Sequence, residues 1–309
     1  MAELVGADIV ARYIVVDHDA TSDAHVQVGE VDGTPVLLQR EYVEADVRIV
    51  TGFVEPHFFA GFSGGPKGVC PGLAATETIL EAHHPRRIAD ARATFVTRAG
   101  NPVHDFVRAA TALAPPDLSL DVAINRARQV TAVFAGPLPD AHDAACAHVE
   151  ASAVRQVGLP FDLVVSTNGG YPLDRNLYQA VKGMAADERI VRPGGTIVMA
   201  AACEDGVPAD GAFARLLADA RTPADLAGAS GAPELDRWQA QVLGRVLQRA
   251  AVVLFAEGLD GAAPASALLP PAPDLDTAVA AALGRLGPGA RVAVMPEGPL
   301  TVASVRGTG

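Results

Sequence analysis

Residues 52–84 read GFVEPHFFAGFSGGPKGVCPGLAATETILEAHH, a stretch that gathers several side chains able to do chemistry. Gly61, Gly64, Gly65 and Gly68 fall within eight residues, a density that lets the backbone approach a ligand closely and take positive φ. Lys67 is the only lysine or arginine between Arg48 and Arg86. An amine isolated in a largely apolar loop is desolvated, which favours its neutral, nucleophilic form. His57 stands on one side of the loop and His83 and His84 on the other. Imidazole serves as a general base near neutral pH and as a ligand for nickel or zinc. Plainer readings stay open: the glycines can form a series of tight turns, and His84, before Pro85, can be a solvated helix end. The loop is neither a Walker A motif, since no GKS or GKT closes it, nor a GxGxxG dinucleotide fingerprint.

A second patch, STNGGYPLDRNLYQAVK, spans residues 166–182. Gly169 and Gly170 make a turn, and the following helix carries Tyr178, Gln179 and Lys182. Positions 178 and 182 are one turn apart and share a face, with Gln179 beside them. A phenol, an amide and an ammonium there can fix a small carboxylate; a solvated helix face has the same spacing.

Both patches follow apolar strand-like runs, and the ends of buried parallel strands are where open α/β folds place ligands. Up to residue 155 the pattern mixes strands with short helices. Strands are predicted at 13–16, 36–38 and 47–54, and an Asn101-Pro102 cap opens a helix. Two strands at 118–124 and 130–134 form a hairpin, and a helix covers 144–154. From 156 to 309 strands alternate with helices: strands at 162–166, 196–201, 252–256 and 291–295, helices at 176–188, 212–220, 234–249 and 275–286. That alternation predicts a parallel, doubly wound, Rossmann-like sheet. The fold class is α/β, with the two glycine-rich strand ends facing each other across an interdomain cleft. The opening segment has few strands and no preceding helical layer, so its sheet is expected to expose apolar surface.

The bulk numbers exclude several classes. The chain has 309 residues, enough for two cores, with 50% hydrophobic and 19% charged residues. A net charge of −12 without a long basic run argues against nucleic acid as a partner. No apolar run approaches the ~20 residues of a membrane span, and the N-terminus has no signal-peptide pattern. Cys70, Cys146 and Cys203 are odd in number and lack CxxC spacing, which predicts free thiols and a cytoplasmic setting.

The motif EPHFFAGFSGGPKGVCPG, with a downstream helix ending in His83, resembles the central signature of the nickel-dependent lactate racemases. STNGGYPLDRNLYQAVKGM, at residues 166–184, resembles their C-terminal signature. The resemblance covers almost the whole chain. It implies that residues 1–155 are a partial N-terminal α/β domain that attaches the cofactor and 156–309 a C-terminal Rossmann-like domain. The cofactor implied is the nickel-pincer nucleotide, pyridinium-3-thioamide-5-thiocarboxylic acid mononucleotide, with Ni. By the same resemblance Lys67 holds it through a thioamide, with Gly64 and Gly65 in the attachment loop, and His83 completes the nickel coordination. His57 is one of two histidines acting as acid and base on the substrate hydroxyl. Lys182, a catalytic group, and Gln179 and Tyr178 face substrate and cofactor, and Trp238 is an aromatic close to the cofactor. The substrate implied is a small 2-hydroxy acid or sugar acid.

Members of that family carry further N-terminal sequence with the second histidine and a substrate-binding arginine, which the sequence from Met1 onward is expected to lack. His18 and His25 lie in an acidic polar stretch that reads as surface. The active site of this chain is therefore expected to be incomplete alone, with a separate N-terminal-domain polypeptide as one way to complete it. Two other functions remain: a non-catalytic remnant that binds a ligand or partner, and another metal-dependent enzyme using His57 and His83.

Overall fold

The computed structural model describes residues 5–259 and 268–306. The first helix, α1 (Ala7–Arg12), buries none of its residues. A hairpin of β1 (His25–Val31) and β2 (Thr34–Gln39) follows. Its turn places Asp32 and Gly33 both at positive φ, the geometry that suits an Asp-Gly hairpin. Val36 and Leu38 on β2 are fully buried. After α2 (Arg40–Val43) comes β3 (Ile49–Phe53). Two short strands, β4 (Pro56–His57) and β5 (Gly61–Phe62), then fold the glycine-rich loop onto itself, and a 3-10 turn spans Gly65–Gly68. Helices α3 (Thr76–Ala82), α4 (Pro85–Ile88) and α5 (Pro102–Ala112) lead to the hairpin β6 (Leu118–Ile124) and β7 (Val130–Gly136), and α6 (Leu138–Ala153) ends this half. The sheet order is β3-β6-β7, with β3 parallel to β6 and β6 antiparallel to β7.

The second half opens with β8 (Val154–Val157), then β9 (Phe161–Thr167), α7 (Leu177–Glu188) and β10 (Val191–Ala200). Helices α8 (Phe213–Asp219), α9 (Pro223–Ala227) and α10 (Arg237–Arg249) precede β11 (Ala250–Phe255). Helix α11 (Leu275–Leu286), β12 (Val292–Met295) and β13 (Val302–Val305) complete it, and β13 pairs in parallel with β8. The main sheet, β11-β10-β9-β12, is parallel throughout. Leu163 and Val198 point one way to pack on Ala278 and Ala282 of α11. Val164, Ile197 and Met199 point the other way, onto α7 and α10. Both faces are covered, which is why these strands are almost continuously apolar.

One core ties the halves together. Phe58, Phe59, Ile88, Phe95 and Val103 from the first half pack in the same cluster as Leu177, Met184, Trp238 and Val242 from the second. Gln241 on α10 donates to the Pro85 carbonyl at 2.8 Å and Arg189 to the Thr94 hydroxyl at 3.1 Å.

Several expectations are corrected. Residues 13–16 form no strand, and Ile14 is 96% exposed, because the run has no neighbour to pair with among the described residues. The stretch with His18 and His25 is not simple surface. His18 uses both ring nitrogens, on the Gln39 side chain at 3.1 Å and the Ala74 carbonyl at 2.9 Å, and His25 begins β1. The helix expected over 144–154 starts earlier, at Leu138, where Pro137 and Pro139 favour a first turn. The Asn101 cap is as read: its side chain accepts from Val103 and His104 backbone N–H groups. The hairpin at 118–124 and 130–134 and the doubly wound second half also form as read.

Candidate active site

His57 ends β4, where the chain reverses into β5, so its side chain is fixed by its own loop. Its Nδ1 accepts from the Ala60 N–H at 3.2 Å and lies 3.5 Å from the Phe59 nitrogen. With Nδ1 as acceptor, the proton of the neutral ring is on Nε2. Nε2 lies 3.2 Å from Lys67 Nζ. That contact is then a hydrogen bond only when Lys67 is the neutral amine, accepting from the ring. Burial, reinforced by Lys182, lowers the Lys67 amine to about 8, with Cys70 and Glu55 opposing. The same burial, with Lys67, Lys182 and His83 nearby, holds His57 well below the ordinary imidazole range. A neutral imidazole beside an amine that readily loses its charge suits proton transfer and nucleophilic attachment.

His83 closes α3. Its Nδ1 donates to the Ile79 carbonyl at 2.8 Å, which leaves Nε2 with a free lone pair. Burial lowers it to about 4, against the opposing Ile79 carbonyl, so it stays neutral across physiological pH. Trp238 stacks on it at 4.4 Å between centroids, and Phe59 meets it edge-on at 5.4 Å.

The second patch arrives from β9. Asn168, fully buried, turns the chain: its side-chain oxygen accepts from Gly183 N–H at 2.9 Å, and its amide donates to the carbonyls of Gln179, at 3.0 Å, and Leu173. Gly169 and Gly170 take positive φ there, as the turn requires. Asn176 then caps α7 by accepting from Gln179 N–H, and Tyr178 and Lys182 project from one face as the spacing predicts. Lys182 stands over the Phe58 ring at 5.9 Å and Lys67 over the Phe59 ring at 5.8 Å. Burial lowers Lys182, with Glu55 opposing.

A cavity of about 360 Å³ is lined by His57, Lys67, His83, Tyr178, Lys182 and Trp238, with Phe58 and Phe59 as its aromatic walls. Six residues expected from the sequence therefore meet at one cleft between the halves. Gln179, Gly64 and Gly65 are not among its lining residues. The two glycines are explained by protein contacts: a Cβ on Gly65 would lie 2.4 Å from the His142 ring, and one on Gly64 2.8 Å from Asp121 and Val54. The Gly65 N–H donates to Asp121 at 2.9 Å, so these glycines seat the loop on the β3-β6-β7 sheet and α6. Sequence reasoning missed Glu55, the carboxyl that opposes both lysines and that burial pushes upward. Its only signal was its place in the EPHFF run. Among the described residues, no three His, Cys, Asp or Glu side chains converge as a metal site. His83 alone offers a single donor, which fits a metal whose other ligands come from an organic group.

Comparison with known proteins bears on this cleft. The lactate racemase N-terminal domain model matches residues 1–95 and the lactate racemase C-terminal domain model residues 157–303. A lactate racemase from Lactiplantibacillus plantarum is 36% identical over 301 residues, covering 95% of this chain and 70% of that protein. One from Thermoanaerobacterium thermosaccharolyticum is 34% identical over 300 residues, with the same shares covered. The structure of the lactate racemase apoprotein from the latter organism superposes with a TM-score of 0.91 at 32% identity, over 98% of this chain and 74% of that one. A protein from Thermotoga maritima shares the fold alone, with a TM-score of 0.69 at 16% identity over 94% and 77% of the two chains.

Proposed function

Because this chain belongs to the lactate racemase family, we propose that its cleft serves the racemisation or epimerisation of a small 2-hydroxy acid or sugar acid by hydride transfer with a nickel-pincer nucleotide. The observation that carries this reading is the convergence of His57, Lys67, His83, Tyr178, Lys182 and Trp238 on one cavity. The residues fit the group. Lys67 offers an amine that can be neutral for covalent attachment, and His83 a free Nε2 for nickel. When bound, the nickel-pincer group supplies a place for the hydride of the substrate's α-carbon. Gly64 and Gly65 keep the attachment loop seated beneath Lys67, and Trp238 forms an aromatic wall beside His83. Gln179 shares the first turns of α7 with Tyr178 and is proposed to act on the cofactor through that patch.

The Lys182 ammonium attracts and orients the substrate carboxylate, and its desolvation makes that attraction stronger than in water. His57 holds and moves the hydroxyl proton at Nε2, in the tautomer that carries the ring proton on Nδ1 and gives up the Ala60 contact. Were the Lys67 nitrogen attached to the group through an amide-like bond, it would lose its basic lone pair, and His57 would be free to serve the substrate in place of the lysine. Phe58 and Phe59 exclude water from the reacting carbon.

Racemisation needs a base on each face of that carbon. Among the described residues lining the cavity, the imidazoles are His57 and His83, and His83 is assigned to the metal. We therefore propose that a second histidine comes from further N-terminal-domain sequence, with a separate polypeptide as one source. A docking face is at hand: Ile49, Phe53, Leu120, Ile124, Val130 and Val133 lie exposed on the β3-β6-β7 sheet. Three free, buried thiols fit a cytoplasmic setting, and no helix among the described residues is long and apolar enough to cross a membrane.

The test is chiral analysis of several 2-hydroxy acids after loading with cofactor and nickel, with and without a family N-terminal segment supplied in trans or fused upstream. The reading predicts turnover with the segment and a rate lower by ~10²–10⁴ without it or in His57→Ala. Turnover indifferent to His57→Ala would contradict it.

A further inference from the structure

Asp236 stands at the position that caps α10, yet its side chain accepts no hydrogen bond from that helix. Its backbone is left-handed, with φ at 65°, which a non-glycine residue adopts at a cost. An aspartate at a helix start ordinarily accepts from the second or third N–H of the helix. Burial instead pushes this carboxyl upward, with the Tyr178 hydroxyl opposing. Gly211 packs against it so tightly that a Cβ there would come within 2.7 Å of the carboxylate oxygen.

The Tyr178 oxygen also accepts from the Trp238 indole N–H at 2.8 Å. With its lone pair engaged by the indole, the tyrosine hydroxyl is left to donate, and Asp236 is the acceptor beside it. Gln239 donates to the Tyr178 carbonyl, so α10 grips this tyrosine at both ends. The Trp238 ring in turn lies on His83, tilted by 35° at 4.4 Å. The imidazole is thus held on three sides: by Trp238, by the Phe59 edge and by the Ile79 carbonyl on Nδ1. What remains free is Nε2.

We propose that Asp236 is a positioning residue for the His83 imidazole, acting through Tyr178 and Trp238 so that Nε2 is presented to the cleft. The inference rests on the reading of His83 as the metal-binding group, and it assigns the left-handed Asp236 to the site rather than to its helix. Outer partners that orient a ligating imidazole typically change metal affinity by ~10–100-fold when removed.

Trp238 is the one tryptophan in the chain, so its fluorescence reports this contact without a background. The test uses the full chain without cofactor, as wild type, Asp236→Ala, Asp236→Asn, Tyr178→Phe and His83→Ala. Three signals are read: tryptophan emission, the His83 ring nitrogen resonances by NMR, and quenching of Trp238 on titration with nickel ion. Asp236→Ala and Tyr178→Phe are expected to shift the emission, to broaden or move the His83 ring signals, and to weaken nickel quenching by roughly tenfold or more. Asp236→Asn, which keeps an acceptor oxygen, is expected to restore most of each signal. Both the emission and the ring signals unchanged in Asp236→Ala and Tyr178→Phe would overturn the proposal. Nickel quenching indifferent to His83→Ala would instead refute the metal-ligand reading, and the ring signals would still decide whether Asp236 positions the imidazole.

Discussion

Lys67 is held in a state that costs the fold something. Its amine, ordinarily at 10.5, is lowered by burial to about 8. The unfolded chain binds that proton more tightly than the folded one, so the penalty is full below about 8 and fades as pH rises toward 10.5. Lys67→Leu is therefore expected to raise Tm by ~2–6 °C at pH 7, with the gain shrinking between about pH 8 and 10.5. Thermal unfolding of both proteins across that range checks it, and a variant no more stable than wild type at pH 7 would count against a desolvated amine. Lys67, His57 and His83 were legible because each is chemically isolated in its stretch of sequence. Tyr178 and Lys182 were legible from one-turn spacing, and Trp238 only through the family resemblance. Glu55, Phe58 and Asp236 were not, because what each does depends on a partner distant in sequence or on a backbone conformation that residue type does not announce.

At the scale of elements, the cleft depends on asparagines that join one segment to another. Asn101 caps α5 through its side-chain oxygen and donates to the carbonyls of Phe59 at 2.9 Å and Thr97 at 3.0 Å. It therefore ties the start of a helix to the loop that carries His57. Asn101→Ala removes the cap and leaves buried carbonyls unpaired, an expected loss of ~2–4 kcal/mol in urea unfolding. Asn101→Asp keeps the cap acceptor but not the donors. It should fall between the two in stability while loosening the loop, seen as faster hydrogen exchange at Ala60. Equal stability of the Ala and Asp variants would mean that the cap contributes nothing. The cap was readable as Asn-Pro before an apolar period; the bonds to Phe59 and Thr97 were not, since they are tertiary. The same division explains the strands. The second half was legible because strand and helix periods alternate cleanly, whereas residues 13–16 have strand-like composition but no partner among the described residues, and β1 is too polar to announce itself.

At the scale of the whole molecule, the two halves share a core on the cleft side and leave one sheet face open on the other. In register, Ile49 pairs with Leu118 and Val122 with Val133, so the open face is a continuous apolar surface across β3, β6 and β7. Surfaces of that kind drive association. Leu120→Lys with Val133→Lys is expected to shift sedimentation velocity toward the monomer without changing the far-UV spectrum; an unchanged, concentration-independent monomer in wild type would remove the need for a covering partner. Attachment of a nickel-binding cofactor at Lys67 is read by peptide mass spectrometry after co-expression with the cofactor-building enzymes and nickel. The pincer mass is expected on the peptide containing Lys67 and lost in Lys67→Ala, with nickel but not the organic mass lost in His83→Ala. The same adduct persisting in Lys67→Ala would contradict it.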